Sequence, residues 1–269
     1  MRKSVFITGA TVNTGLGIAE KFAVEGYNLF LGSRNGENAE RVAKALSRKH
    51  GVAAKGYGMK VFDEENAELI FKDIKSLGYL IDCLVLNAAN LGIGQNFFEV
   101  SAEDFMNVIN TNIGWNFMIA RQAALQMRKT GGTIVFVNSN TAYRAIPNRI
   151  AYSASKSGAL GMMRAMALDL GKYNIRVNAV LPGMIKTDRW ENNFNNCREV
   201  LSNYTPLGDI ASFEDIANAV WYLGSDMSRN TTGAELVVDG GNMIQLYPNI
   251  SIGGENNEKS KNYVWNMKF

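Results

Sequence analysis

The stretch Thr8-Gly9-Ala10-Thr11-Val12-Asn13-Thr14-Gly15-Leu16-Gly17 separates two segments of different periodicity. Before it, residues 3–8 form an apolar run of β type around Val5-Phe6-Ile7. After it, Ile18, Ala19, Phe22 and Ala23 recur at the spacing of a helix face within residues 15–26. Glycines at such a junction let the backbone turn sharply and come close to a bound group. The helix that follows offers free N–H groups and the positive end of its dipole. A glycine-rich turn from a first strand into a first helix therefore suits the pyrophosphate of a dinucleotide.

Outward from this turn the same rhythm continues. Further strands are predicted near residues 27–32, 52–58, 81–87, 133–138, 175–180 and 235–238, with helices near 37–50, 64–77, 102–129, 150–172 and 213–224. Ser101 and Ser212, each followed three residues later by an Asp, read as helix N-caps of capping-box type. Strands that are apolar throughout, rather than at alternate positions, are buried on both faces, and regular β-α-β alternation implies a parallel sheet. The expected fold is α/β: a single doubly wound Rossmann-type domain over residues 1–248, with a seven-stranded parallel sheet and helices on both faces. Residues 183–211 break the rhythm, polar with scattered aromatics, as a substrate lid would be. Residues 249–269, rich in Asn, Lys and Gly, read as a C-terminal tail.

Composition narrows the function classes. The chain has 269 residues, 46% apolar and 20% charged, enough to build a large core. Twenty-eight basic against 25 acidic residues give a net charge of +3, too small and too dispersed a surplus for nucleic acid or an anionic membrane. No apolar run has the length of a membrane span, and the N-terminal segment lacks signal-peptide architecture. Two cysteines, Cys83 and Cys197, make neither a disulfide framework nor a metal site, and Cys83 lies in an apolar run. The expectation is a soluble cytoplasmic protein that acts on a small molecule without a metal.

The end of the second strand bears on which dinucleotide is held. A carboxylate there would accept from the adenosine ribose hydroxyls and repel a 2′-phosphate. The chain instead has Gly32-Ser33-Arg34-Asn35, and a guanidinium can pair with that phosphate; Glu37 falls in the next helix. NADP(H) is therefore favoured over NAD(H).

Tyr152-Ser153-Ala154-Ser155-Lys156 places a phenol and an ammonium four residues apart, on one helix face. A nearby ammonium favours the phenolate and brings the phenol toward the working pH range, as proton exchange at neutral pH requires. The plainer alternative is a Tyr and a Lys sharing a solvated face. Ser139, at the end of the fifth predicted strand, adds a hydroxyl at the carboxyl end of a parallel sheet, where ligands bind.

With the glycine loop, Ser139 and Tyr-x-x-x-Lys in this order, the chain resembles the short-chain dehydrogenase/reductase family from about residue 3 to residue 241. Asn87-Ala88-Ala89 stands where the family has Asn-Asn-Ala-Gly. Asn112 matches the Asn of its Asn-Ser-Tyr-Lys tetrad, and residues 178–187 match the segment that closes on the nicotinamide. The resemblance implies hydride transfer between nicotinamide and a carbonyl or secondary alcohol. In it, Tyr152 exchanges the proton, Lys156 lowers the Tyr pKa and holds the nicotinamide ribose, Ser139 fixes the substrate oxygen, and Asn112 holds a relay water. It further implies cofactor contacts from Gly9, Thr11, Asn13, Thr14, Gly15, Leu16, Ser33, Arg34, Lys60, Val61, Asn87, Ala88, Ala89, Tyr152, Lys156, Pro182, Gly183, Ile185 and Thr187. Substrate contacts fall to Ser139, Tyr152 and Trp190. The family's association as a homotetramer or homodimer, through segments here near 102–129 and 150–172, is implied likewise.

The chain departs from the family pattern at three places. Five residues, Ala10 to Thr14, separate the first two glycines instead of three, a lengthened loop like that of the enoyl-acyl-carrier-protein reductases. Lys60 stands where an Asp often meets the adenine, and Ala89 replaces a glycine. The four-residue step from Tyr152 to Lys156 argues against enoyl reduction. A non-catalytic dinucleotide-binding protein would have no reason to keep Asn112, Ser139, Tyr152 and Lys156 together. Around the reactive end, Asn140, Thr141, Tyr143, Arg144, Asn148 and Arg149 are polar, as are Asp188, Arg189, Asn192 and Asn193. They favour a hydroxylated substrate such as a sugar, polyol or hydroxy acid. Trp190, Phe194, Met184 and Tyr143 could instead line an apolar pocket for a steroid or acyl chain.

Overall fold

The computed structural model describes residues 2–94, 96–187 and 203–246. The chain opens with strand β1 (Ser4–Thr8), helix α1 (Asn13–Val24), β2 (Asn28–Ser33), α2 (Gly36–His50), β3 (Ala54–Gly58), α3 (Glu64–Ser76) and β4 (Cys83–Leu86). It continues through α4 (Ala102–Ile109), a π-helical turn (Asn110–Trp115), α5 (Asn116–Met127), β5 (Gly132–Val137), α6 (Ile150–Gly171) and β6 (Ile175–Pro182). Helix α7 (Phe213–Gly224) and β7 (Glu235–Val238) complete it.

All seven strands are parallel, in the order β3-β2-β1-β4-β5-β6-β7. The alternation of side chains along the strands explains why they read as continuously apolar. Val5 and Ile7 pack with α1, α2 and α7 on one face, while Phe6 packs with α3, α5 and α6 on the other. Leu29 and Leu31 against Phe30, and Cys83 and Val85 against Leu84 and Leu86, repeat the division. Cys83 is fully buried, which raises its thiol pKa.

Both capping serines perform as expected. Ser101 Oγ accepts from Asp104 N at 3.0 Å, and Ser212 with Asp215 forms a complete capping box. Two boundaries differ from the sequence reading. Strand β3 starts at Ala54, paired with Leu29; Val52 lies in the link after α2, where its carbonyl accepts from Ser47 Oγ at 2.7 Å. The long helix expected over 102–129 is broken into α4 and α5 by the π-turn. A Cβ on Gly114 in that turn would lie 2.4 Å from the Phe62 ring, so a larger residue there requires the half-exposed ring to move aside. The wide turn tips Asn112 inward, where it is buried.

The strand order reverses between β1 and β4, which opens a crevice at their carboxyl ends. No helix among the described residues is long and apolar enough to cross a membrane.

Candidate active site

The glycine turn lies in that crevice. Gly9 takes φ +66°, and its N–H donates to Gly32 O at 2.8 Å, tying the loop to the end of β2. A Cβ on Gly15 would sit 2.0 Å from Gly9 O, so a side chain there has no room. Asn87, at the end of β4, braces the loop from below: its Nδ2 donates to Thr8 O and Gly9 O, each at 3.1 Å. Thr8 Oγ1 accepts in turn from Asn87 N and Ala88 N, at 2.9 and 3.0 Å. The two extra loop residues are taken up where Asn13 enters α1 at φ +48°, a conformation Asn tolerates. Helix α1 has no side-chain cap and no acid in its first turn, so its N–H groups and dipole are left for an anionic ligand. A backbone cradle that one Cβ would fill, at an uncapped helix start, fits a pyrophosphate.

On the β2 side of this cradle, Thr11 Oγ1 lies 3.4 Å from Ser33 Oγ. Ser33 and Gly58 are register partners, so Arg34 and Lys60 follow adjacent strand ends. Neither cation is paired with a carboxylate among the described residues. Arg34 is exposed, and Lys60 N donates to Asn66 Oδ1 at 2.9 Å. Val61 follows, 39% exposed.

Ser139 lies two residues beyond β5, and its Oγ accepts from Thr141 N at 3.2 Å, starting a short 3-10 turn. Tyr152 and Lys156 lie on the buried stripe of α6 with Ser155, Ala159, Leu160 and Met163, at 8% and 6% exposure. The solvated-face alternative is thereby excluded. Lys156 Nζ donates to Val137 O at 3.1 Å and lies 5.5 Å from the Tyr152 ring centre. Burial brings the Lys156 ammonium down to about 8.

Tyr152 departs from the sequence expectation. Burial holds its phenol above the ordinary range; the Ser139 hydroxyl, the Arg149 charge and the Thr141 hydroxyl act in the opposite direction and only partly offset it. The Arg149 charge favours the phenolate, and the Lys156 ammonium lies nearer still to the Tyr152 ring. Arg149 precedes α6, its Cζ is 6.0 Å from the Tyr152 ring centre, and its Nη1 donates to Leu91 O at 3.1 Å. Thr141 Oγ1 is buried beside the phenol.

Asn112 is committed to its neighbours. Its Oδ1 accepts from Asn90 N at 2.7 Å, and its Nδ2 donates to Asn90 O and to Ser155 Oγ, each at 2.9 Å. Ser155 Oγ donates to Tyr152 O at 2.7 Å. A buried chain thus runs from the loop after β4, through the π-turn, to the backbone of the phenol. Asn90 and Ser155 escape sequence reasoning: Ser155 reads as an arbitrary residue within Tyr-x-x-x-Lys, and only its full burial marks it.

Beyond β6, Gly183 N donates to Val238 O at 3.1 Å, and a Cβ on Gly183 would lie 2.6 Å from Asp239 Cβ. Ile185 bridges to Ala211, and Lys186 Nζ meets Asp209 Oδ2 at 2.5 Å, so the segment expected as a lid leaves and returns at one place. Pro182 closes β6 and Thr187 is the last described residue before the excursion. Ala88 sits beside the glycine loop, partly exposed, with its Cα 3.1 Å from a Cβ built on Gly9, and Ala89 after it is exposed. Leu16 is partly buried in the first turn of α1, after Thr14. Trp190 and the tail 249–269 lie outside the described residues.

This fold and site have close relatives. A family model described as "Enoyl-(Acyl carrier protein) reductase" matches residues 9–242. A 3-oxoacyl-[acyl-carrier-protein] reductase of Aquifex aeolicus is 32% identical over 242 residues, covering 89% of this chain and 96% of its own. An L-rhamnose 1-dehydrogenase (NAD(P)(+)) of Azotobacter vinelandii is 32% identical over 254 residues, covering 91% and 98%. The solved structure of a 7α-hydroxysteroid dehydrogenase, complexed with NADH and 7-oxo glycochenodeoxycholic acid, superposes with a TM-score of 0.82. It is 31% identical and covers 89% of this chain and 93% of that one. The chain belongs to the short-chain dehydrogenase/reductase family of oxidoreductases.

Proposed function

We propose that the protein is an NADP(H)-dependent reductase that converts the carbonyl group of a hydroxylated small molecule to a secondary alcohol, and that it can run in reverse. The observation that carries this reading is the pairing of two hydroxyls, Ser139 and Tyr152, above the buried Lys156 at the carboxyl end of β5. The nicotinamide, when bound, supplies the hydride. The protein orients the acceptor and moves a proton. Ser139 donates to the substrate oxygen and Tyr152 gives that oxygen its proton. A phenol held above its ordinary pKa keeps this proton at neutral pH, which suits reduction.

Lys156, buried and poised near pH 8, replaces the proton on Tyr152. The Asn112 carbonyl accepts from Asn116 Nδ2 at 2.9 Å, which leaves a lone pair for the water that links this chain to bulk. Gly9, Gly15 and the α1 N-terminus hold the pyrophosphate. Arg34, with Lys60 beside it and no carboxylate from Gly32 to Asn35, takes the 2′-phosphate.

A second reading is enoyl reduction, favoured by the description of the matching family model. The four-residue step between Tyr152 and Lys156, both on one buried stripe, favours a carbonyl. A panel of sugars, hydroxy acids, steroids, acyl ketones and one enoyl thioester, each with NADPH and NADH, distinguishes the two. Selective NADPH oxidation by ketones supports the first; oxidation by the enoyl compound alone supports the second. A further part of the proposal is a cytoplasmic homotetramer or homodimer. It is supported by a groove of about 430 Å³ between α5 and α6, lined by Phe117, Leu125, Met166, Leu170 and Tyr173. A monomer mass in light scattering would remove that part.

A further inference from the structure

We infer that Arg149 is a specificity-determining residue and that the substrate carries a carboxylate, which this guanidinium holds beside the reacting carbonyl. The inference rests on the carbonyl-reductase reading and names the substrate class of the same site.

The placement is set by the backbone. Pro147 and Asn148 precede Arg149, and Asn148 takes φ +56°, so the chain turns sharply just before α6. Arg149 is then the residue at the mouth of that helix, with its guanidinium 6.0 Å from the ring of Tyr152. A guanidinium has five N–H donors in a planar fork. Here Nη1 donates to Leu91 O, and no carboxylate among the described residues pairs with the charge.

Neighbouring cations are differently occupied. Arg164 pairs with Glu235 at 2.6 Å, Lys186 with Asp209 at 2.5 Å, and Arg144 Nη1 donates to Gln245 O at 3.0 Å. Arg149 and Lys156 are thus the two cations at the phenol without a carboxylate partner among the described residues; Lys156 is buried with its ammonium on Val137 O, so the partly buried Arg149 is the one open to a ligand. The first turn of α6 adds to the positive potential, since it has neither an acidic residue nor a side-chain cap. A guanidinium with donors left over, partly shielded from water, binds a planar carboxylate by two parallel hydrogen bonds. A ketone carbonyl on Ser139 and Tyr152, with a carboxylate on Arg149, defines an oxo acid, or a hydroxy acid in reverse. Reduction leaves the carboxylate unchanged.

The test is steady-state reduction of 2-, 3-, 4- and 5-oxo acids and their neutral amides by the full-length protein, with NADPH. For at least one chain length the acid should show a KM about tenfold or more below its amide. Arg149→Gln should raise that KM by about 10- to 100-fold, the range for losing hydrogen bonds to a charged group, with the amide's KM within about twofold. Arg149→Lys, which keeps the charge and loses the fork, should fall between. Equal KM values for acid and amide at every chain length, or an Arg149→Gln effect alike on both, overturn the carboxylate site and leave the reductase reading standing. If the unaltered protein reduces none of them, the reductase reading fails for oxo acids. Calorimetric titration of the same acids then decides the anion site: binding lost in Arg149→Gln supports it, and equal binding in both proteins overturns it.

Discussion

The amide of Asn112 donates to the hydroxyl of Ser155 at 2.9 Å, and both residues are buried. Ser155 passes the contact on to the Tyr152 carbonyl, so the π-turn on one side of the site fixes the helix that carries the phenol on the other. Ser155→Ala leaves a buried Asn112 donor without this partner. We expect a loss of about 1–3 kcal/mol in unfolding free energy by denaturant titration. We also expect a kcat several-fold lower, with unchanged NADPH affinity. An unchanged kcat would separate this network from positioning of the phenol.

Gly15→Ala drives a Cβ into the backbone carbonyl of Gly9, where nothing can give way. Cofactor binding, followed by fluorescence of NADPH, should fall below detection. Gly161→Ala is the matched control: it lies within α6 with open space around its Cβ. That variant should bind cofactor normally and gain about 0.5–1 kcal/mol in stability from helix propensity.

Lys156 makes stability depend on pH. Burial lowers its pKa from 10.5 to about 8 in the folded protein. Between these values the unfolded chain binds more protons than the folded one, so stability rises with pH across that window, and the penalty is complete below pH 8. Lys156→Met removes the titration, and subtracting its unfolding free energy from that of the unaltered protein cancels every other group. The difference should move by on the order of 3 kcal/mol in favour of the unaltered protein between pH 7.5 and pH 10.5. A flat difference would mean that Lys156 is solvated.

Arg34→Ala should raise the KM for NADPH by about tenfold or more and leave that for NADH within about twofold, as the loss of a charge-assisted phosphate contact requires. An equal change for both cofactors would place the guanidinium outside the 2′-phosphate site.

The sheet was legible because burial on both faces leaves a mark on its central strands: Phe6 is apolar for one layer, Val5 and Ile7 for the other. Caps such as Ser101 and Ser212 are local, and local chemistry reads directly from sequence. The π-turn did not read, since apolar spacing continues across residues 110–115 and only the tight packing of Gly114 on Phe62 gives it away. Val52 misled for the opposite reason: it is apolar because it is buried in the link after α2, not because it pairs in β3. The phenol's elevated pKa and the reach of Arg149 depend on burial and on distance across a loop, which no spacing rule encodes. Tyr152 and Lys156 were legible as a pair, but Ser155 between them was not.

Tyr152→Phe tests the catalytic proposal most directly, because it removes the proton donor and keeps the ring. NADPH-dependent ketone reduction should fall by about 100-fold or more, as loss of a general acid requires, while NADPH binding stays within about twofold. Turnover retained in Tyr152→Phe would contradict a mechanism built on this phenol.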